Sequence, residues 1–214
     1  GHWHDVGGNV PGNYNPAATE SFQEGMLIPP VRIVRAGELD EDIVAIVQAN
    51  SRLPGSVYGD LHGQLGALDL GARRLNELLD EVGAAVVDET FAELRASAGR
   101  LMRSYVSALP DGTFSCDDFL DNDGIVDEPL RVGLDLTIDG DRLVFDFSRT
   151  AGACAGPVNI ARSTAVAACY IALKHVFPDV PANQGVLDPI EIVVPEGSLL
   201  AARAPRPVGG YTET

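Results

Sequence analysis

The stretch "RVGLDLTIDGDRLVFDFS", residues 131–148, decides the fold. Val132, Leu134, Leu136 and Ile138 alternate with polar residues, and Leu143, Phe145 and Phe147 resume the alternation after Asp139-Gly140. A period of two is that of a strand with one face buried. Asp-Gly favours a two-residue hairpin turn because its central positions take positive φ at little cost. The spacing predicts strands over 132–138 and 142–147 with Asp139-Gly140 at the tip. A sheet with one apolar face needs a covering layer, and the flanking sequence reads as helices.

Upstream, "AGELDEDIVAIVQANS" (36–51) predicts a helix with acidic residues in its first turn and Ile43, Ile46 and Val47 inward. "PGSVYGDLHGQLGALDLGARRLNELLDEVG" (54–83) predicts a longer one. Leu61, Leu65, Leu68, Ala72, Leu75 and Leu79 recur at helical spacing, and Gly83 ends it. "DETFAELRASAGRLMRSYVSALP" (88–110) predicts a third helix, with Asp88 as N-cap and Phe91, Leu94, Ala98, Leu101, Tyr105 and Leu109 in one stripe. Both stripes are expected to be core. Downstream, "NIARSTAVAACYIALKHVF" (159–177) predicts a buried helix, and "VLDPIEIVVPEGSLL" (186–200) a strand and turn. Residues 7–19, rich in Gly, Pro and Asn, read as a loop, and "MLIPPVRIV" (26–34) as a short extended edge segment. The expected class is α+β, with a helical N-terminal half followed by a β-hairpin-containing sheet with a buried helix. One folded unit is expected over residues 1–214, and the unfinished look of the "ARAPRPVGGYTET" tail marks it as part of a longer domain.

The chain carries a formal charge of −16. That charge repels phosphate backbones and argues against a nucleic-acid partner. No run of about 18 apolar residues is present, so no membrane span is expected. Lys174 is the single lysine and lies in a helical pattern, so no phosphate-binding P-loop is present. Cys116, Cys154 and Cys169 show neither a CxxC pair nor an even count, which implies a reducing, cytoplasmic setting. Cys154, in "TAGACAGP" (150–157), reads as a small loop residue, with a nucleophilic thiol as the alternative. "DDFLDNDG" (117–124) resembles a calcium loop at Asp121, Asp123 and Gly124, but Phe119 and Leu130 occupy ligand positions, so it reads as an acidic turn.

The N-terminal "HWHDVGG" (2–8) is the strongest chemical cluster. On an extended segment His2 and His4 point to one side, and Asp5 follows. Imidazole and carboxylate together suit Zn, Mn or Fe. Gly7-Gly8 would let backbone approach an ion or substrate closely. A chance surface cluster and a histidine-tag remnant are the alternatives.

The order of motifs adds to this. "HWHDVGG" is followed by "ATESFQEGMLIPPV" (18–31), "GDLHGQLGAL" (59–68), "LPDGTFSCDDFLDNDG" (109–124) and "GDRLVFDFSRTAGACAGPVN" (140–159). Then come "FPDVPANQGVLDPIEIVVPEGSLL" (177–200) and "APRPVGGYTET" (204–214). Together these resemble the hydantoinase B/5-oxoprolinase family over residues 1–214, as the middle of a domain truncated at both ends. The resemblance implies a part of an ATP-dependent enzyme that opens a small cyclic amide such as a hydantoin, 5-oxoproline or a lactam. ATP would be bound by a hydantoinase A-type subunit or domain, and a divalent metal would serve ring opening. The family's His-x-x-Asp-x-Gly-Gly metal motif falls on His2, Asp5, Gly7 and Gly8. His4 stands where the family often has a small residue, and Trp3 at a place that is sometimes histidine. A further ligand is implied just before the family's "EG" pair, where this chain has Gln23 beside Glu24. An acetone carboxylase-like subunit and a docking fragment with a degenerate metal motif are the alternatives.

Overall fold

A computed structural model describes residues 3–12 and 14–210. The hairpin forms as the alternation requires. Strands β3 (Gly112–Leu120), β4 (Leu130–Asp139), β5 (Arg142–Asp146) and β6 (Ile190–Val193) lie side by side in that order. β3, β4 and β5 are antiparallel, and β6 is parallel to β5. Asp139 pairs with Arg142, so the tip is Gly140-Asp141, one residue beyond the expected pair. Gly140 takes the positive φ of 58° and Asp139 does not, the pattern of a turn that needs glycine only at its first central position.

Strand β3 was not expected. The alternation in "GTFSCDDFL" is hidden because eight of its nine residues are exposed, apolar Phe114 and Phe119 included. β3 is the outer strand, and its pairing runs from Gly112 opposite Ile138 to Leu120 opposite Leu130. The sheet's polar face carries a lattice of charges. Arg131 grips Asp117 through two bonds of 2.9 Å. Arg149 bridges Asp117 and Asp135 at 3.1 and 3.0 Å.

The other face is covered by α3 (Ala84–Val106) and α4 (Arg162–Val176). Ala98, Met102 and Val106 of α3 and Cys169 and Leu173 of α4 form one core with Ile138, Leu143 and Phe145. α4 carries the chain from β5 to parallel β6, a connection that cannot be a tight turn. Its outer residues Ile171 and Val176 stay exposed, so it is buried on one side only. The single lysine closes this helix: Lys174 Nζ donates to the carbonyls of Phe177, Pro178 and Val180.

Towards the N-terminus, β1 (Val34–Arg35) and β2 (Glu38–Leu39) form a minimal hairpin. α1 (Glu41–Ala49) follows, with the Asp40 side chain accepting from the Ile43 N–H as N-cap. Val44 and Val47 are its buried residues, while Ile46, expected inward, is exposed. α2 (Pro54–Val82) stops at Gly83, φ 86°, as expected. The same glycine starts α3, so Asp88 lies inside that helix and caps nothing.

The two stripes are only partly core. Val57 and Leu61 of α2 are buried, but residues 66–78 are all exposed, Leu68 at 70%. On α3, Phe91 and Leu94 are each 54% exposed, ahead of the buried Ala98–Val106 turns. At the shared end of the two helices Val87 of α3 is buried, while residues 66–78 of α2 stay uncovered among the described residues. Gly63, Gly66 and Gly71 lie in this arm of α2, and a Cβ at any of them would meet nothing within 4 Å. Each costs helix propensity of about 1 kcal/mol relative to Ala, without a packing return inside the described residues.

Where α3 meets the 3₁₀ turn Gln184–Leu187, the fit is tight. A Cβ on Gly185 would lie 2.1 Å from the Arg95 carbonyl oxygen, and Arg95 is paired to Asp188 at 2.7 Å. Gly185→Ala should therefore destabilise the chain by about 1–3 kcal/mol through overpacking, read as a lower urea midpoint at unchanged m-value. A neutral result would mean that this turn is not seated on α3.

Candidate functional site

The N-terminal segment runs extended past the α1–α2 junction. Asp5 is 2% exposed. Its Oδ1 accepts from the Ser51 hydroxyl at 3.1 Å, the Arg52 N–H at 3.0 Å and the Gly7 N–H at 3.1 Å. The Arg52 guanidinium lies 3.5 Å from Oδ2 and donates to the carbonyls of Gly7 and Gly8 at 3.1 and 2.7 Å. The Arg52 amide, with help from Gly7, Ser51 and the guanidinium, outweighs burial and holds the Asp5 carboxyl below its ordinary range.

The glycines of the motif are required by this packing. At Gly7, φ 86°, a Cβ would meet the Asn50 carbonyl oxygen at 2.6 Å. At Gly8, φ 82°, it would meet the Gln23 carbonyl oxygen at 2.8 Å. Backbone bonds from Asn9 N–H to Gln23 O and from Met26 N–H to Val6 O, both 2.8 Å, lay the motif along residues 23–26. These segments and the α1–α2 turn line an open cleft of about 640 Å³, with Gly7, Gly8, Met26, Asn50, Ser51 and Arg52 on its walls.

The expected ligands are placed as follows. His2 lies outside the described residues. Asp5 is buried and bound as above. His4 is exposed, and its backbone N–H donates to Asp60 Oδ2 at 2.7 Å. Gln23 is beside Gly8 through its backbone, but its Oε1 accepts from the Thr19 N–H at 2.7 Å. Glu24 reaches across the fold to accept from the Val208 and Gly209 amides at 2.8 and 2.5 Å. Among the described residues, no three His, Cys, Asp or Glu side chains are grouped to hold an ion. The segments of the motif are brought together, while the Gln23 and Glu24 side chains are spent on backbone amides.

Sequence reasoning missed three organising residues. Ser51 and Arg52 carry no motif and gain their roles only from the turn between α1 and α2. Asn159 is fully buried: its Oδ1 accepts from the Cys154 N–H, and its Nδ2 donates to the carbonyls of Cys154, Gly156 and Pro207. Asp123, 2% exposed, accepts from the amides of Ile125, Val126, Ala155 and Gly156 at 2.6–2.9 Å. Burial pushes its carboxyl up, but these four amides together leave it below the usual range. The acidic turn is thus a buried clamp on the 154–159 loop. Cys154 is buried inside that loop, and burial, with the Asp123 charge, pushes its thiol up to about 11. Little of this thiol is then thiolate, the reactive form, at neutral pH.

The sequence matches the Hydantoinase B/oxoprolinase family model over residues 1–214. It is 32% identical to the caprolactamase subunit beta of Pseudomonas jessenii over 217 residues, covering 100% of this chain and 37% of that one. The crystal structure of the ATP-dependent caprolactamase from Pseudomonas jessenii superposes with a TM-score of 0.89 at 31% identity, over 99% of this chain and 37% of that chain. A 5-oxoprolinase of Dictyostelium discoideum is 29% identical, over 94% of this chain and 16% of its own length. A nucleotide-free acetone carboxylase structure shares the fold with a TM-score of 0.86 at 16% identity, over 99% of this chain and 30% of that chain. The chain therefore spans little more than a third of its caprolactamase relative and less of the others.

Two outcomes follow from the geometry. Asp5→Ala strands three donors and should cost about 1–3 kcal/mol at neutral pH. A carboxyl held low in the folded state stabilises above its unfolded pKa of about 3.9 and loses that contribution as pH falls through the folded value. The acid limb of a stability-versus-pH curve should therefore be shallower for Asp5→Ala than for the parent chain; parallel limbs would remove the Asp5 network. Separately, native-state alkylation at pH 8 should label exposed Cys116 and spare Cys154 and Cys169, both buried and raised to about 11. Fast labelling of Cys154 would contradict the packing of its loop.

Proposed function

The chain belongs to the hydantoinase B/oxoprolinase family, and we propose that it is the central part of a subunit of an ATP-dependent cyclic-amide hydrolase. In this reading the longer protein opens a hydantoin, 5-oxoproline or related lactam ring, and a hydantoinase A-type subunit or domain binds and spends the ATP. Water supplies the oxygen, and the ring C–N bond is the one that breaks. The observation that carries the reading is the match to caprolactamase, which runs through the motif segment and the sheet alike at 31% identity. The setting proposed is cytoplasmic, supported by three free cysteines. Among the described residues, no helix is long and apolar enough to cross a membrane.

The residues nearest the proposed chemistry have legible duties. Arg52 and Ser51 fix Asp5 and shape the wall of the open cleft. Gly7 and Gly8 keep that wall free of side chains where it meets residues 23–24. A divalent metal, Zn, Mn or Fe, is proposed on the motif residues His2, His4 and Asp5, of which His2 lies outside the described residues. The described residues do not form an ion cage by themselves, and Gln23 and Glu24 are the weaker members of the proposed set. Such an ion, when bound, polarises a carbonyl and lowers the pKa of its water.

A second reading, a ketone carboxylase, is favoured by the acetone carboxylase fold match. The test is to assay the longer chain with its A-type partner for ADP formation stimulated by hydantoin, 5-oxoproline or caprolactam, with ring opening followed in parallel. The expected result is lactam-dependent turnover, lowered by about 10–100-fold in Asp5→Ala, and metal content that falls in His2→Ala. The present chain alone should show no turnover. Stimulation by a ketone with bicarbonate, and not by a cyclic amide, would replace the hydrolase reading with the carboxylase one.

A further inference from the structure

One contact ties the N-terminal motif to the body of α2. Asp60 Oδ2 accepts from the His4 N–H at 2.7 Å, the length of a charge-assisted bond. Asp60 stands at a steady point of the helix. It shares one helical face with Val57 and Leu61, which are 1% and 5% exposed. Asp60 itself is half-buried, so its carboxylate is carried by the packed side of α2. The next residue of the motif is held as well. The Asp5 carboxylate accepts from the Ser51 hydroxyl and the Arg52 N–H, in the turn that leads into α2. The two carboxylates act in opposite senses across one junction, Asp5 from the motif to the turn and Asp60 from α2 to the motif. The backbone of residues 4 and 5 is braced from both sides, while the His4 side chain stays exposed. A bond to its backbone fixes where that side chain starts and leaves both ring nitrogens free of the fixing bond.

We propose that Asp60 is a positioning residue of the motif: by holding the His4 backbone on α2 it sets the direction in which the His4 imidazole leaves the chain. In this role Asp60 touches backbone and no reacting atom. The effect on turnover rests on the proposed hydrolase reading, and the effect on the segment rests on the fold alone. Such bracing matters to rate because a displacement of about 1 Å at a reacting centre can cost about 100-fold.

Trp3 is the single tryptophan of the chain and is half-buried next to His4, so its emission reports on this segment. In the full chain, Asp60→Ala should red-shift that emission and speed amide exchange at His4 by about 10-fold. The helical circular dichroism should be unchanged, since Ala is a better helix former than Asp. Asp60→Asn keeps an accepting oxygen and should leave both readouts close to the parent. In the longer chain with its A-type partner, Asp60→Ala should lower kcat for a cyclic amide by about 10–100-fold with KM little changed, and Asp60→Asn should restore most of it. An unshifted Trp3 with unchanged His4 exchange in Asp60→Ala would overturn the proposal. So would an Asp60→Asn enzyme as impaired as Asp60→Ala, since the charge and not the bond would then matter, or turnover indifferent to both changes. If the parent enzyme opens no cyclic amide, the hydrolase reading fails, and the proposal then stands or falls on the Trp3 and His4 measurements.

Discussion

The loops around the candidate site are held by buried acidic and amide side chains that satisfy backbone N–H groups. A sheet pairs its own amides and carbonyls, but irregular chain taken out of water has no such ladder, and each orphaned group is costly. Here Asp5 serves the Gly7 and Arg52 amides, Asp123 serves those of residues 125–126 and 155–156, and Glu24 those of 208–209. Asn159 works in both directions, accepting one amide and donating to three carbonyls. An ionised carboxylate suits this duty because it only accepts. Residues as far apart in sequence as 24 and 208 are thereby fixed in one layer. The same economy explains close backbone contacts. Gly156 has no room for a Cβ, which would lie 1.7 Å from the Asp123 carbonyl oxygen, so the clamp and the glycine form one device.

How much of this could be read from sequence depended on whether a residue's role was local. The β4–β5 alternation was legible because each position reports its own face, and the tip slipped by one residue because Asp-Gly and Gly-Asp placements differ only in which residue takes positive φ. The end of α2 at Gly83 was legible for the same reason. Asp88 failed as an N-cap because Gly83 had already started α3, so no free helix end remained for it. Ile46 failed because the covered face of α1 runs through Val44 and Val47. β3 was illegible since an outer strand need not bury alternate residues, and Asp117 and Asp118 masked its pattern.

At the site, residue types were legible and purposes were not. Gly7 and Gly8 were read as room for an ion or substrate, and in the fold they make room for the carbonyls of Asn50 and Gln23. The segment of Asp123 resembled a calcium loop and was read as an acidic turn, yet Asp123 is among the most buried polar residues described. Four amide partners drawn from two distant segments made that burial affordable, and no local window contains both. Ser51 and Arg52 depended on a tertiary contact with residues 5–8 and carried no signature.

The site and the exposed arm of α2 are mechanically one structure. Ser51 and Arg52, which grip Asp5 and the Gly7-Gly8 carbonyls, directly precede the first turn of α2 at Pro54. Asp60, two turns into the helix, accepts the His4 N–H at 2.7 Å. The motif segment is thus tied to α2 at His4 and to its entry turn at Asp5. Fraying of α2 would release Asp60 and loosen the turn that presents Ser51 and Arg52, so a contact that orders the arm also orders the ground on which the motif lies. Local stability propagates along a helix because each turn's hydrogen bonds depend on the next. The buried residues of α2, Val57 and Leu61, lie in its first turns on either side of Asp60. The packing that steadies the ground of the motif is therefore at the near end of the helix, where the contacts of His4 and Asp5 also fall.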